Sequence, residues 1–374
     1  MSIIPQSIEA GSNEYPAPVN GRWHNAGKKV PLISFVVINY NYGLYLRACV
    51  ESIYNQDYPR IECVVVDNAS TDDSIEVLES LAHDYKSLKV LRNNENIGQC
   101  AAFREGFSLT SGAYISIIDA DDYLLPAFAA THIRVHLTLP SAFGFTSADM
   151  VQVLDETVVL GTYFEAFATR PAQASRAPKI DFLHNIRDLS PALGTDGFES
   201  DDFSAKIRII KKNVTNWIWS PTSGSVYRRD AIGLYIDNPK LEELRFQADS
   251  YFNYGINVLT GSVIIEKPLS AYRIHSKNNF TNMVHLKDLL NFPKGKEDSS
   301  VAAFFALEHI ALNFERFFDR SGNISQLWYA MYVLHKKATT KKLVWIERIL
   351  ARVVRSYFVH LITRARTRTK PKHV

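Results

Sequence analysis

Residues 32–43 (LISFVVINYNYG) decide the class of fold, because an apolar run of strand length ends here in a polar turn. Apolar positions at helical spacing follow in residues 44–56, and Pro59 comes after their end. A strand this apolar is typical of a parallel sheet that helices cover on both faces. The stretch therefore predicts a strand–helix unit of an α/β protein.

Three more apolar runs extend this alternation to residue 123. Residues 61–66, 88–91 and 114–118 have the length of strands, and helical patterns separate them. Such a succession predicts a mainly parallel central sheet flanked by helices, whose ligands bind at the carboxyl ends of the strands. The residues at those ends are polar: Asn39 and Tyr40, Asp67 and Asn68, Asp119 and Asp121. A ligand site is therefore expected along this edge.

Composition and hydropathy bound the class of protein. The chain has 374 residues, of which 46% are hydrophobic and 22% charged, so a disordered or collagen-like protein is excluded. The three cysteines form no Cys-x-x-Cys pattern and are expected to be free thiols in a reducing compartment. No apolar run reaches about 18 residues, and the N-terminal segment lacks the pattern of a secretory signal. A cytoplasmic location is therefore expected.

Positive charge is concentrated near the end of the sequence. Residues 336–374 contain twelve Lys or Arg and one acid, whereas the whole chain has a net charge of +3. Apolar residues at helical spacing accompany these basic residues between positions 346 and 361. Two alternatives remain open: residues 343–374 contact an anionic membrane surface peripherally, or the helix packs on the protein and leaves a solvated basic tail. Nucleic acid is not an expected partner, because no known binding motif is present.

The sequence Asp119-Ala120-Asp121 follows the last of the four apolar runs. In an extended segment residues i and i+2 point the same way, so both carboxylates can face one hard cation. The chain has neither a G-x-G-x-x-G turn nor a P-loop, so phosphates bound at this edge need another source of positive charge. Mg²⁺ or Mn²⁺ suits such a site, because it takes its remaining ligands from water and substrate phosphates. The alternative is an acidic turn that caps the helix after Pro126.

Five blocks of the sequence together resemble glycosyltransferase family 2. They are ISFVVINYN at 33–41, VVVDNASTDDS at 64–74, NIGQCAAFREGF at 96–107, GAYISIIDADD at 112–122 and PLSAYRIH at 268–275. The blocks follow the family's order and spacing over residues 31–279. The resemblance implies the GT-A fold, which has a Rossmann-like sheet flanked by helices, and inverting transfer of a sugar from a nucleotide-sugar.

The sequence pattern and the resemblance together divide the chain into three expected parts. The expected parts are a flexible arm at 1–30, a GT-A catalytic domain at 31–285 and a C-terminal helical region with a basic tail at 286–374. Within the catalytic domain, residues 31–125 would form the nucleotide-binding half and residues 126–285 the acceptor half. The acceptor half contains a predicted hairpin at 146–161, a polar, loop-like insert at 162–213 and two short strands at 262–265 and 269–272.

The family's motifs imply roles for the residues at the strand ends. Asn39 and Tyr40 stand where the family places an aromatic side chain near the nucleobase, and Asp67 stands where an Asp hydrogen-bonds the base. Gly98 begins the block that lines the ribose and the phosphates. Asp119 corresponds to the ribose or sugar contact of the D-x-D motif. These five residues form the predicted nucleotide-binding set.

Three further positions carry the implied chemistry. Asp121 matches the metal ligand of the D-x-D motif, and His275, in Tyr-Arg-x-His, stands where many members place a diphosphate or metal contact. Asp249 falls at the family's Glu-Asp motif, in which the Asp is the catalytic base. Ala248 replaces the Glu of that motif, and Arg104 stands where members often have Asn. Because the base is retained, we interpret these departures as changes of specificity.

Residues 217–224 (WIWSPTSG) suggest an acceptor site, because sugars stack on aromatic faces. Trp219 and Ser223 are the candidate acceptor residues. The alternative is that the two tryptophans of this segment pack the insert onto the core.

The predicted function is metal-dependent, inverting transfer of a sugar from a nucleotide-diphospho-sugar to a glycan or lipid-linked acceptor, as in polysaccharide biosynthesis. UDP-sugars are the expected donors by family frequency. The reaction needs a carboxylate to take the acceptor's proton and a cation to stabilise the departing diphosphate. The alternative function is a catalytically degenerate domain that binds a glycan or a partner. A sugar-nucleotide pyrophosphorylase would need a Gly-rich loop after the first strand, and a glycoside hydrolase would leave the strand-end pattern unexplained.

Overall fold

The computed structural model describes residues 30–139, 143–162, 206–276, 278 and 299–338, together with the backbone of residues 2–3 and 180–185. Within these residues the strands form one mixed sheet, and helices cover both of its faces. The predicted α/β class is confirmed.

The strands are β1 (Ser2–Ile3), β2 (Ile33–Asn39), β3 (Ile61–Asp67), β4 (Lys89–Arg92), β5 (Tyr114–Asp119), β6 (Tyr123–Leu124), β7 (Phe145–Leu154), β8 (Thr157–Leu160), β9 (Ile180–Asn185), β10 (Lys206–Ile210), β11 (Ser225–Arg228) and β12 (Ser262–Ile274). The helices are α1 (Gly43–Tyr54), α2 (Ser74–Asp84), α3 (Gln99–Ser108), α4 (Phe128–Thr138), α5 (Arg229–Ile232), α6 (Ala248–Thr260), α7 (Ser299–Leu312), α8 (Phe314–Ser321) and α9 (Ile324–Lys337).

The sheet is parallel in its first half and mixed in its second. Its strand order is β1-β4-β3-β2-β5-β11-β7-β12-β10-β9, with β6 paired to β12 and β8 to β7. Strands β4, β3, β2 and β5 run parallel to one another, as does the pair β7 and β12. Strand β11 runs antiparallel to both β5 and β7 and joins the two halves. The parallel half therefore consists of the four strands that the alternation up to residue 123 predicts.

Alternate side chains of the central strands enter two hydrophobic cores, one on each face of the sheet. Phe35 and Val37 of β2 belong to the core under α1, α2 and α4, whereas Val36 belongs to the core under α3 and α6. Strands that are buried on both faces explain the apolar runs of the sequence. The second core continues into α7 and α9, which pack against α6. The C-terminal helices and the sheet thus share one core.

Two predictions about the second half need correction. The insert at 162–213 was expected to be loop-like, but its residues 206–210 form β10, which pairs antiparallel with β12. Residues 262–265 and 269–272, expected to form two short strands, lie in the single strand β12, whose irregular register near Pro268 produces the interruption. The hairpin predicted at 146–161 is confirmed as β7 and β8, and its turn has positive φ at Asp155 and Glu156.

The predicted C-terminal helices are confirmed for residues 299–337. Residues 343–374, with their two alternatives, and most of the N-terminal arm lie outside the described residues. Among the helices that the structure describes, each is too short or too polar to cross a membrane. The cytoplasmic location and the domain boundaries stay predictions.

A buried histidine of α4 gives the fold a testable dependence on pH. The side chain of His136 points from α4 towards the sheet, and its Nε2 is 3.2 Å from the carbonyl oxygen of Val226 in β11. Burial lowers its pKa from 6.5 to about 4. Between pH 6.5 and about 4, His136 is therefore mostly protonated in the unfolded chain and mostly neutral in the folded chain. The free energy of unfolding should fall as the pH drops from 6.5 towards 4, by roughly 3 kcal/mol from this group at most.

Urea unfolding between pH 7 and pH 4 checks this expectation. His136→Gln keeps a hydrogen-bond donor but cannot titrate, so its stability should decline less steeply towards acid pH than that of the wild type. His83→Gln is the matched control, because the side chain of His83 is 83% exposed. Parallel curves for wild type and His136→Gln would show that His136 does not contribute.

Candidate active site

The register of the parallel strands brings the polar strand ends together. Asn39 at the end of β2 pairs with Asp67 at the end of β3, and Ile38 pairs with Asp119 at the end of β5. The three strands therefore end level with one another. This is the edge at which the sequence predicts the site.

Asn39 and Asp67 form a hydrogen-bonded pair at this edge. The Asn39 Nδ2 donates to the Asp67 Oδ1 over 2.8 Å and also lies 3.1 Å from the Ser70 Oγ. The backbone N–H of Ser70 donates to the other Asp67 oxygen over 3.2 Å. Both side chains are buried, whereas Tyr40 beside them is 42% exposed. The pair fixes the carboxylate in place, and the Tyr40 ring stays open to a planar ligand.

Gly98 lets two backbone segments approach closely. Its φ is +86°, and a Cβ atom there would lie 2.8 Å from the Cα of Arg245. The next residue, Gln99, bridges two parts of the site: its Nε2 donates to the Asp119 Oδ1 over 2.7 Å, and its Oε1 accepts from the N–H of Ala248 over 3.3 Å. The sequence pattern did not single out Gln99, although it lies within the block that Gly98 begins.

Three carboxylates crowd the end of β5. Burial, and then the nearby carboxylates of Asp121 and Asp249, raise the pKa of Asp119 to about 7. Burial, and then the carboxylates of Asp121 and Asp119, raise the pKa of Asp122 well above its ordinary value. Asp122 is almost completely buried and accepts the backbone N–H of Arg273 over 3.2 Å. So much negative charge in so small a space favours a cation at this edge.

Asp121 meets His275 across the end of β12. The His275 Nε2 lies 3.1 Å from the Asp121 Oδ2, and the Asn278 Nδ2 lies 3.4 Å from the same oxygen. The imidazole stacks on Tyr45, with ring centroids 4.7 Å apart, and Tyr42 approaches its edge. The structure thus brings together the two residues predicted to bind a metal. It adds Asn278, which no motif indicated.

Asp121 and His275 fit part of the coordination shell of a divalent cation. In the described part of the chain, no three His, Cys, Asp or Glu side chains form a complete metal site. The pair offers one carboxylate oxygen and one imidazole nitrogen. Mg²⁺ and Mn²⁺ sites in nucleotide enzymes commonly use few protein ligands and complete their shell with water and phosphate oxygens. The residues present are therefore compatible with a cation held jointly with a nucleotide diphosphate.

Asp249 lies in the first turn of α6, behind the D-x-D segment. Its Oδ1 accepts the N–H of Ser250 over 2.7 Å, and its side chain is half-buried. The residue before the helix, Gln247, has φ of 73° and turns the chain sharply into α6. A helix N-terminus stabilises a carboxylate in its charged form. Asp249 is therefore placed as a carboxylate close to Asp119.

The structure contradicts the two candidate acceptor residues. Trp219 is 0% exposed, and its Nε1 donates to the Ser262 Oγ over 2.9 Å. Its ring packs at right angles to Tyr254, so no face is left for a sugar. Ser223 is also 0% exposed, and its Oγ accepts the N–H of Asp119 over 3.1 Å. Both residues support the site from within the core, because an aromatic-rich segment here fills the space between β7 and α6.

Residues 34–142, which contain the parallel strands and the D-x-D segment, match the family described as glycosyl transferase family 2. The predicted resemblance to this family is confirmed for these residues.

Two curated relatives show the extent of the similarity. The uncharacterized glycosyltransferase alr2836 of Nostoc is 27% identical over 249 residues, which are 66% of this chain and 66% of that protein. The glycosyltransferase GlyG of Streptococcus pneumoniae is 35% identical over 133 residues, covering 36% of this chain and 39% of that protein. The matches thus span 66% or less of these relatives' lengths.

Among solved structures, residues 1–349 of Staphylococcus aureus TarS in complex with UDP-GlcNAc align with a TM-score of 0.46 at 15% identity, covering 87% of this chain and 89% of that one.

Proposed function

We propose that this protein transfers a sugar from a nucleotide-diphospho-sugar to a hydroxyl group of a glycan or lipid-linked acceptor, with inversion at the anomeric carbon. One observation carries the proposal: a family 2 domain brings Asp67, Asp119, Asp121, Asp249 and His275 to one edge of its sheet. These residues come from four separate segments of the chain. Relatives named as glycosyltransferases support the same class of reaction.

The donor nucleotide would bind across the ends of β2, β3 and β5. The Tyr40 ring would stack on the base, and the Asp67 carboxylate, oriented by Asn39 and Ser70, would accept its N–H groups. The close backbone approach at Gly98 would leave room for the ribose. Asp119, held by Gln99, would accept a hydroxyl of the ribose or the sugar. UDP-sugars remain the expected donors.

Asp249 would act as the general base. In an inverting displacement the acceptor oxygen attacks the anomeric carbon as the bond to the diphosphate breaks, and one carboxylate takes the hydroxyl proton. The place of Asp249 in the first turn of α6 suits this role, because a helix N-terminus favours a negative charge.

Asp121 and His275 would hold the divalent cation, with Asn278 hydrogen-bonded to the same carboxylate oxygen. A bound Mn²⁺ or Mg²⁺ would neutralise the charge that develops on the departing diphosphate. The crowded carboxylates at the end of β5 support this assignment, because a cation would offset their mutual repulsion.

A panel of nucleotide sugars tests the proposed function. With Mn²⁺ present, UDP-, dTDP- and GDP-sugars should be compared by the shift of the unfolding midpoint and by release of the nucleotide diphosphate. We expect UDP-sugars to raise the midpoint and to be hydrolysed slowly, and the anomeric configuration of the product, read by NMR, to be inverted. Binding without turnover on soluble and lipid-linked acceptors would favour the degenerate binding domain instead. A failure of every nucleotide to bind would contradict the proposal.

A further inference from the structure

Arg273 is partly buried, and two of its three guanidinium nitrogens lack the hydrogen bonds that they normally make. Its Nε and Nη2 are inaccessible, and neither has a hydrogen-bond partner among the residues that the structure describes. The Cζ atom lies instead over two aromatic rings, 5.3 Å from the centroid of Tyr45 and 5.0 Å from that of Tyr123. Burying N–H groups without partners is costly, and cation–π contacts recover only part of that cost. A guanidinium retained in such a place therefore calls for a functional explanation.

The three side chains, Tyr45, Tyr123 and Arg273, form what we call the Arg273 clamp. They come from three elements, α1, β6 and β12. Helix α1 follows the turn that contains Tyr40, β6 follows the D-x-D segment, and β12 leads into His275. The clamp thus joins the segments that carry the nucleobase, cation and diphosphate contacts of the proposed site.

The clamp contacts the imidazole of His275 through Tyr45. Arg273 and His275 are two residues apart at the end of a strand, so their side chains lie on the same side. The Tyr45 ring contacts both: it stacks on the imidazole at 4.7 Å with an interplanar angle of 19°, and it lies under the guanidinium. The edge of Tyr42 meets the imidazole at 5.6 Å. These rings restrict the rotation of the imidazole whose Nε2 faces Asp121.

We propose that Arg273 is a positioning residue that, through Tyr45, holds the His275 imidazole against Asp121 and so sets the affinity of this pair for a divalent cation. The inference rests on the proposed function, because it assigns the cation to Asp121 and His275. Neither Arg273 nor Tyr45 contacts the cation itself. They restrict the His275 imidazole to few orientations before the cation binds, so binding costs less conformational entropy.

Titration of the full chain with Mn²⁺ alone, with the free ion counted by EPR, tests the inference without any turnover. Arg273→Lys keeps the charge but loses the planar group that covers two rings, and Tyr45→Leu removes the ring between Arg273 and His275. Both should weaken Mn²⁺ binding about tenfold, as the loss of an orienting neighbour typically does. Tyr45→Phe keeps the ring and should bind Mn²⁺ like the wild type. Arg229→Lys is the matched control, because Arg229 also lies over a ring, that of Phe107, but away from the site.

A second readout follows the imidazole directly. In ¹H–¹³C NMR spectra without metal, the His275 signal, identified by its loss in His275→Ala, should broaden or shift in Arg273→Lys and Tyr45→Leu but not in Tyr45→Phe. Thermal unfolding establishes that each variant is folded. Should Arg273→Lys fail to fold, the pair Tyr45→Leu and Tyr45→Phe decides the question, since both variants keep Arg273 and neither introduces a new charge.

The outcomes separate the clamp from the metal site. If His275→Ala weakens Mn²⁺ binding while Arg273→Lys and Tyr45→Leu bind like the wild type, the positioning role is wrong and the metal site stands. If His275→Ala binds Mn²⁺ as the wild type does, the metal assignment of the proposed function is wrong. The positioning role of Arg273 is then wrong as well. Weaker binding in Tyr45→Phe would assign the effect to the tyrosine hydroxyl and overturn the stacking argument.

Discussion

Asp249→Asn should lower the kcat for sugar transfer by about 10²–10⁴-fold, the usual contribution of a general base. Asn keeps the size of the side chain and a carbonyl oxygen for the N–H of Ser250, but it cannot take a proton from the acceptor at neutral pH. The affinity for the nucleotide should change little, because Asn39, Tyr40 and Asp67 lie at the ends of other strands. Steady-state kinetics and nucleotide titration in Mn²⁺ measure the two quantities separately.

Asp319→Asn is the control for this variant, because it makes the same chemical change on the exposed side of α8. Wild-type turnover in Asp249→Asn would exclude Asp249 as the base. Asp149 would then be tested, although it is buried and its Oδ1 accepts the N–H of Met150. Asp201 and Asp202, two acids of the 162–213 insert, would follow; they lie outside the described residues. A collapse of nucleotide affinity would instead make Asp249 a structural residue or part of the metal shell.

Asp121→Ala should abolish the stimulation of transfer by Mn²⁺ and reduce the rate by about 10²–10³-fold, since a metal contributes several kcal/mol to such a transition state. The variant removes the carboxylate oxygen that lies 3.1 Å from the His275 Nε2. Rates measured across a series of Mn²⁺ concentrations, with Mn²⁺ binding followed by EPR, check this expectation.

Asp122→Ala is the comparison, and its rate should fall much less. Asp122 accepts the backbone N–H of Arg273 and points into the protein. Its loss should therefore lower the unfolding midpoint and leave most of the stimulation by Mn²⁺ intact. Equal activity of wild type and Asp121→Ala in Mn²⁺ would contradict the metal assignment. If Asp122→Ala lost more of the stimulation by Mn²⁺ than Asp121→Ala, Asp122 would be the metal ligand and Asp121 the structural residue.

The parallel half of the fold was predictable from the sequence because its strands are buried on both faces. Such strands appear as apolar runs, and their polar ends mark the edge at which the register of β2, β3 and β5 aligns Asn39, Asp67 and Asp119. Asp249 and His275 follow more than 120 residues later, and local patterns do not connect them to that edge. Only the resemblance to a family suggested that they belong there, and the fold places both beside the D-x-D segment.

The remaining features depend on tertiary contacts that no local pattern records. The sequence does not show whether a tryptophan ring is exposed to a sugar or buried, and the structure shows that Trp219 is buried. Gln99 and Asn278 acquire their roles from partners that are 20 and 157 positions away in the sequence. Strand β10 lies in a polar segment and owes its conformation to pairing with β12, which tertiary context supplies.

The packing of α6 has a consequence for how this protein can change during evolution. The helix that begins with Ala248 and Asp249 rests on the sheet on one side and on α7 and α9 on the other. Asn238 connects α6 to α7. Its Nδ2 donates to the hydroxyl of Tyr251 in α6 over 2.9 Å and to the carbonyl oxygen of Phe305 in α7 over 3.2 Å. A lineage that lost the C-terminal helices would expose the aromatic side chains beneath them. Substitutions in α7 or α9 that shift α6 would move Ala248 and Asp249 with it, and Gln99 would pass part of that shift to Asp119.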